Sequence, residues 1–100
     1  MLRRGSEMLK TIKLFATLRD IAGTKELQIP ADGIKTARDL VRAVQQANPA
    51  LGAEILDENG EMTGQVHILV NGRNIEWLDG LDTPISDEDT LVLIPPVAGG

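Results

Sequence analysis

One segment of this chain, Thr36 to Asn48, has the pattern of an amphipathic helix, and it lies between short segments that alternate in period two. Thr36 and Asp39 form a capping-box-like pair at its start. Asn48 precedes a proline, which disfavours helix in the residue before it. An apolar stripe at helical spacing is typical of packing against a core. The stripe is predicted to consist of Ala37, Leu40, Val41, Val44 and Ala47.

The alternating segments predict a sheet of about five strands. In the first of them, Ile12, Leu14 and Ala16 share one face, and a helical turn closed by Gly23 follows. Asn71-Gly72 predicts a tight hairpin turn later in the chain. The residues between 51 and 62 show no clear element, apart from a polar turn. The predicted strands are 11–17, 25–29, 65–70, a short return strand in 73–78, and 90–94.

This order of elements predicts an α+β roll, in which a mixed sheet packs on one main helix. The first and last strands would pair in parallel at the centre, which is the β-grasp (ubiquitin-like) arrangement. We expect a flexible tail over residues 1–7, with Met8 as an alternative start, and a β-grasp domain over 8–94. Residues 95–100 are expected to form an extended tail.

Composition argues against several classes of function. The net charge is −5 and no basic patch is visible, so we expect no nucleic-acid partner. The apolar runs are far shorter than the ~20 residues that cross a bilayer, and no membrane contact is expected. The chain has no cysteine and one histidine, His67, which predicts no metal site and is compatible with the cytoplasm. We therefore expect no catalysis by the chain alone.

The sequence Pro95-Pro-Val-Ala-Gly-Gly100 is the strongest candidate for chemistry. The two prolines cannot donate ladder hydrogen bonds and favour an extended path away from the domain. Gly99 and Gly100 lack Cβ atoms, so the terminal carboxylate can enter a narrow active site of another protein. Activation there as an acyl-adenylate would make it an electrophile, and sulfur could then give a thiocarboxylate. The alternative is an incidental glycine tail on a stand-alone binding module.

Residues 14–23, 69–72, 87–91 and 95–100 together resemble the MoaD/ThiS family of ubiquitin-like sulfur carriers, which includes small subunits of molybdopterin synthase. The resemblance implies that an adenylating enzyme of the ubiquitin-activating type uses ATP and a sulfur donor to convert Gly100 into a thiocarboxylate. The chain itself would hold no cofactor. Sulfur would then pass to a pterin in the large synthase subunit, within a heterotetramer. Gly99 would provide clearance, and docking would involve Pro95, Pro96, Val97 and Ala98.

The resemblance also implies partner contacts through an exposed sheet face, with Phe15 and Leu69 as candidates. Packing of both residues in a second core layer is an equally good interpretation. Some members of the longer branch of the family resemble protein modifiers attached to lysines, so conjugation is the main alternative function. Sulfur transfer to tRNA or to thiamine is a further alternative. The length of the segment 51–63 argues against the thiamine pathway.

Overall fold

The computed structural model describes residues 8–96 of the chain, so residues 1–7 and 97–100 lie outside the description. Two short 3-10 helices, Ile75–Trp77 and Gly80–Asp82, connect the last two strands. The five strands of this region are β1 (Leu9–Leu14), β2 (Glu26–Pro30), β3 (His67–Val70), β4 (Arg73–Asn74) and β5 (Leu91–Ile94). The helices are α1 (Thr17–Ala22), α2 (Ala37–Ala47) and α3 (Pro49–Ile55).

The strands form one mixed sheet in the order β2-β1-β5-β3-β4. β1 and β5 are parallel neighbours at the centre, with Ile12 opposite Leu91 and Leu14 opposite Leu93. All other neighbouring strands are antiparallel. The predicted β-grasp topology is therefore confirmed. Its consequence for the site is that the last strand lies inside the sheet rather than at an edge.

One face of the sheet packs on the helices and forms the core. Alternate residues of β1, β3 and β5 point to this face, while those between them point to the other side. The stripe of α2 is buried against it as predicted, except that Ala47 is exposed. Fully buried side chains at the sheet–helix contact include Ile12, Leu14, Ile29, Ile68, Leu93, Leu40, Val44, Leu51 and Ile55.

The start of α2 is held by the predicted capping box. The Thr36 hydroxyl accepts a hydrogen bond from the backbone N–H of Asp39 at 3.3 Å. The Asp39 carboxylate accepts from the backbone N–H groups of Lys35 and Thr36 at 3.0 and 3.2 Å. The Lys35 N–H is the largest cause that lowers the pKa of Asp39 below its ordinary value.

The structure contains a helix that the sequence interpretation missed. α3 begins immediately after α2, because Asn48 both ends one helix and caps the next: its Oδ1 accepts from the N–H of Leu51 at 3.1 Å. Proline is favoured in the first turn of a helix, so Pro49 begins α3 as well as ending α2. Two helices therefore cover the core where one main helix was predicted.

Two predicted strands end earlier than expected. The first strand ends at Leu14, and the residues after it turn away from the sheet, so Ala16 is exposed rather than buried. The return strand of the hairpin comprises only Arg73 and Asn74. The Asn74 side chain accepts from the N–H of Glu76 at 2.9 Å, which turns the chain into a 3-10 helix. The predicted turn at Asn71-Gly72 is confirmed, since both residues have positive φ.

Candidate functional site

The chain leaves the sheet from its centre at the end of β5. Leu93 and Ile94 still pair with β3, and the Leu93 carbonyl accepts from the N–H of Phe15 at 3.2 Å. Pro95 is half-buried and Pro96 is exposed, and neither residue has an N–H to continue the ladder. The other residues of the predicted tail site, Val97, Ala98, Gly99 and Gly100, lie outside the described residues.

The sheet face opposite the helices surrounds this exit point, and we call it the outer face. Leu69 lies opposite Val92, which pairs with Lys13 on its other side. Phe15, at the end of β1, is 40% exposed. Both predicted contact residues, Phe15 and Leu69, therefore lie on this face. Its members are Lys13, Phe15, His67, Leu69, Val92 and Ile94.

The position of Phe15 is fixed by a strained turn that follows it. Ala16 has φ 55° and ψ −133°, a conformation that residues with a Cβ rarely adopt. Arg19, one turn later, donates from Nε to the Leu14 carbonyl at 2.7 Å. Its guanidinium carbon lies 5.2 Å from the centroid of the Phe15 ring, within cation–π range. The turn therefore holds an aromatic ring at the rim of the outer face, beside the tail exit.

His67 lies on the outer face, half-buried as expected for a strand residue. Its Nδ1 is 3.1 Å from the Asn74 side-chain nitrogen and 3.3 Å from Oε2 of Glu76. The unprotonated nitrogen can accept from Asn74, whereas the protonated nitrogen can donate to Glu76. Sequence reasoning missed these partners, because they become neighbours only through the register of the β3–β4 hairpin.

The acidic turn before β5 has a structural role. The Asp89 carboxylate accepts from the Ser86 N–H at 2.8 Å, from the Ser86 hydroxyl at 3.0 Å and from Asn71 Nδ2 at 3.0 Å. The bond from the Ser86 N–H is the largest cause that lowers the pKa of Asp89. Lys10, which is buried, donates to the Ser86 carbonyl at 3.0 Å. These bonds connect the start of β5 to β1 and to the hairpin, and they position the strand that carries the tail.

Other kinds of site find little support in the described region. Within residues 8–96, no group of three or more His, Asp or Glu side chains is placed to hold a metal ion. No helix in the same region has the length and apolar character needed to cross a membrane. The arrangement that remains is a central strand leading into the tail, surrounded by an apolar face with an aromatic rim.

A mixed five-strand sheet with parallel central strands, and with helices on one face, defines a ubiquitin-like protein of the β-grasp class. A model of the ThiS family matches residues 12–100, so the chain belongs to the ThiS family of ubiquitin-like sulfur carriers.

Proteins similar to this chain are named either as modifier proteins or as sulfur carriers. The chain is 35% identical over 89 residues to small archaeal modifier protein 3 of Haloferax volcanii, covering 89% of this chain and 96% of that protein. It is 33% identical over 75 residues to a proposed sulfur carrier protein of Archaeoglobus fulgidus, covering 75% and 84%. The solution structure of small archaeal modifier protein 1 from Methanosarcina acetivorans has 37% identity and a TM-score of 0.74, covering 96% of this chain and all of that one.

Proposed function

We propose that this protein is a ubiquitin-like modifier, joined through Gly100 to lysine side chains of other proteins. The observation that carries the proposal is the similarity to a small archaeal modifier protein along nearly the whole of both chains. The fold supports it, because the central strand β5 leads directly into the tail. The proposal requires Gly100 to be the last residue of the native protein. The mass of the intact native protein tests this requirement.

Conjugation requires two steps at the terminal carboxylate. In the first, the carboxylate attacks the α-phosphate of ATP in an activating enzyme, giving an acyl-adenylate and pyrophosphate. In the second, a lysine amine attacks the acyl carbon of the adenylate, so that an isopeptide bond forms, AMP leaves and the amine gives up a proton. ATP belongs to the activating enzyme. This chain contributes a slender tail, with Gly99 giving clearance and Pro95 and Pro96 keeping the tail out of the sheet.

The outer face is the proposed docking surface for the activating enzyme. Val92, Ile94 and Leu69 form its apolar middle, and Phe15 lies at the rim. Aromatic residues, phenylalanine included, are enriched at the cores of protein interfaces. Because this face surrounds the strand that leads to the tail, an enzyme bound here would receive the tail near its own active site.

A sulfur carrier is the second candidate, and the similarity to the Archaeoglobus fulgidus protein favours it. The activation step is shared, but a hydrosulfide takes the place of the lysine amine, so that AMP leaves and a thiocarboxylate remains on Gly100. Delivery of that sulfur to a pterin in a large molybdopterin synthase subunit remains a prediction from the family resemblance. Sulfur transfer to tRNA or thiamine also remains a prediction.

The positions of lysine, arginine and glutamate in the sequence determine which protease leaves a detectable branch on a target lysine. No lysine or arginine follows Arg73, so trypsin would leave the whole segment 74–100 on the target lysine. Cleavage after Glu88 by a glutamate-specific protease would leave the shorter branch 89–100. We expect this branch on lysines of other proteins purified with the tagged chain. A matched chain ending at Ala98 is the control and should give none. Absence of the branch in cells that hold the activating enzyme would contradict the modifier function.

The carrier function is tested separately by intact-mass spectrometry. The chain is incubated with the activating enzyme, ATP and a sulfur donor, and a carrier shows the mass change of one oxygen-to-sulfur exchange. The chain ending at Ala98 should show no change. A thiocarboxylate without conjugates would favour the carrier over the modifier, and conjugates without a thiocarboxylate would favour the modifier.

A further inference from the structure

The charges of this chain are divided unequally between its two halves. Residues 1–50 carry nine lysines and arginines and five acidic residues, whereas residues 51–100 carry one arginine, Arg73, and ten acidic residues. The sheet order places β1 and β2 on one side of β5, and β3 and β4 on the other. On the outer face, the basic residues near Phe15 lie on the β1–β2 side and Glu76 lies on the β3–β4 side, so this end of the face has one cationic side and one anionic side.

On the cationic side, three basic residues surround the ring of Phe15. Lys13, Arg19 and Lys25 line a cleft of about 260 Å³ beside the ring, together with Leu14 and a single carboxylate, that of Glu26. Arg19 also lies over the ring. A cleft with an apolar wall and an excess of positive charge is suited to receive a carboxylate side chain.

On the anionic side, the corresponding position is occupied by Glu76. The 3-10 helix that follows the β3–β4 hairpin brings Glu76 beside His67, and the two side chains are in contact. His67 lies opposite Ile94 of β5. The Glu76 side chain is 64% exposed. Phe15 and Glu76 therefore flank the apolar middle of the outer face at the same end of the sheet.

We propose that the outer face binds a second copy of this chain, related by a two-fold axis parallel to β5. This rotation places β1 of each copy over β3 of the other. Glu76 of each copy then faces the cationic cleft beside Phe15 of the other, so the contact is made twice, as symmetry requires. A two-fold axis in the plane of the face and perpendicular to the strands would instead place β1 over β1 with reversed direction, so Glu76 would not reach the cleft. Charge therefore selects the first arrangement.

The expected dimer is weak and reversible. Strands lie about 4.8 Å apart, so the outer face is only about 20 Å wide, and such a contact falls at the small end of specific interfaces. The net charge of −5 on each copy also opposes association. We expect a dissociation constant on the order of 0.1–1 mM. The dimer covers the face proposed above for the activating enzyme, so the two complexes exclude each other.

Charge reversal on the two sides of the face tests the proposal. Sedimentation equilibrium of the full chain measures self-association, and circular dichroism checks that each variant is folded. Lys13→Glu and Glu76→Lys should each weaken self-association about fivefold or more, because the first removes the excess positive charge from both clefts and the second places a cation against each of them. An equimolar mixture of these two variants should associate better than either variant alone, since one contact of the mixed dimer is the original one and the other pairs the two reversed charges.

The matched controls have the same net charges but lie away from the outer face. Lys35→Glu, before α2, and Glu58→Lys, in the turn after α3, should leave self-association unchanged within about twofold. A chain that stays monomeric up to about 1 mM would overturn the proposal. So would a mixture of the two outer-face variants that fails to associate, or controls that behave like the outer-face variants. None of these outcomes depends on chemistry at Gly100, so failure here leaves the proposed function untouched.

Discussion

At the scale of single residues, the most unusual position is Ala16, which stores strain beside the docking face. Its φ and ψ lie in a region that glycine enters freely and that costs other residues of order 1–3 kcal/mol. We expect Ala16→Gly to raise the free energy of unfolding by about 1 kcal/mol, after the extra entropy of glycine in the unfolded chain is subtracted. Urea unfolding followed by circular dichroism measures this. Trp77 is a poor fluorescent probe of unfolding, because it is 84% exposed in the folded chain.

The control for that prediction is Ala53→Gly in α3, at an exposed helical position. There the same substitution should lower the free energy of unfolding by up to about 1 kcal/mol, because glycine is a poor helix former. Equal destabilisation by both substitutions would show that Ala16 carries no strain. Alternation predicted Ala16 as a buried strand residue. It did not predict the turn, which depends on the bond from Arg19 to the Leu14 carbonyl.

A second residue-scale prediction concerns pH and Asp89. Its pKa is lowered in the folded chain, so the ionised carboxylate stabilises the fold above the ordinary pKa of an aspartate, and this stabilisation is lost as pH falls through the lowered value. We expect Asp89→Asn to lower the free energy of unfolding most at pH 6–7, and the difference from the original chain to shrink below about pH 4. Urea unfolding over pH 3–7 checks this. A difference that does not change with pH would contradict the role of the charge.

At the scale of elements, the strands, the turns and both ends of α2 were predictable, whereas α3 was not. Period-two alternation identified β1, β3 and β5, because each strand has one buried face. α3 was missed because Asn48 and Pro49 signal the end of α2 and the start of α3 at the same time. Asn48 ends α2, caps α3 and also donates from Nδ2 to the Ala22 carbonyl at 3.2 Å. That last contact is tertiary, and no local pattern predicts it.

The close contact between α2 and α3 gives an element-scale prediction. A Cβ added to Gly52 would lie 2.6 Å from Cγ and 2.7 Å from Cα of Gln45, so the backbone of α2 would have to move. We expect Gly52→Ala to lower the free energy of unfolding by about 1–3 kcal/mol, although alanine is the better helix former. Ala53→Ser, on the exposed side of the same helix, is the control and should change it by less than about 0.5 kcal/mol. Thermal and urea unfolding measure both, and a stabilised Gly52→Ala variant would contradict the packing.

At the scale of the whole molecule, the fold and the proposed chemistry share one strand. β5 pairs with β1 and β3 at the centre of the sheet, so the core cannot close without residues 91–94. The tail begins at the next residue, Pro95, beyond the last ladder bond. Sequence patterns could predict this central placement, because β-grasp order follows from the order of the elements. They could not predict the opposite charges at the two sides of the outer face, since these depend on strand order and register together.

Two truncations distinguish the role of β5 in folding from the role of the tail in conjugation or sulfur transfer. A chain ending at Thr90 lacks β5, and we expect it to lose cooperative unfolding, because the central ladder and the buried Leu91 and Leu93 are removed. A chain ending at Pro96 keeps every described contact and should unfold with a free energy within about 0.5 kcal/mol of the full chain. It should nevertheless form neither conjugates nor a thiocarboxylate. Circular dichroism with urea unfolding, and the mass spectrometry described above, give the two readouts. Loss of stability on removal of residues 97–100 would mean that the tail packs on the domain, and the account of a tail held out for another protein's active site would then fail.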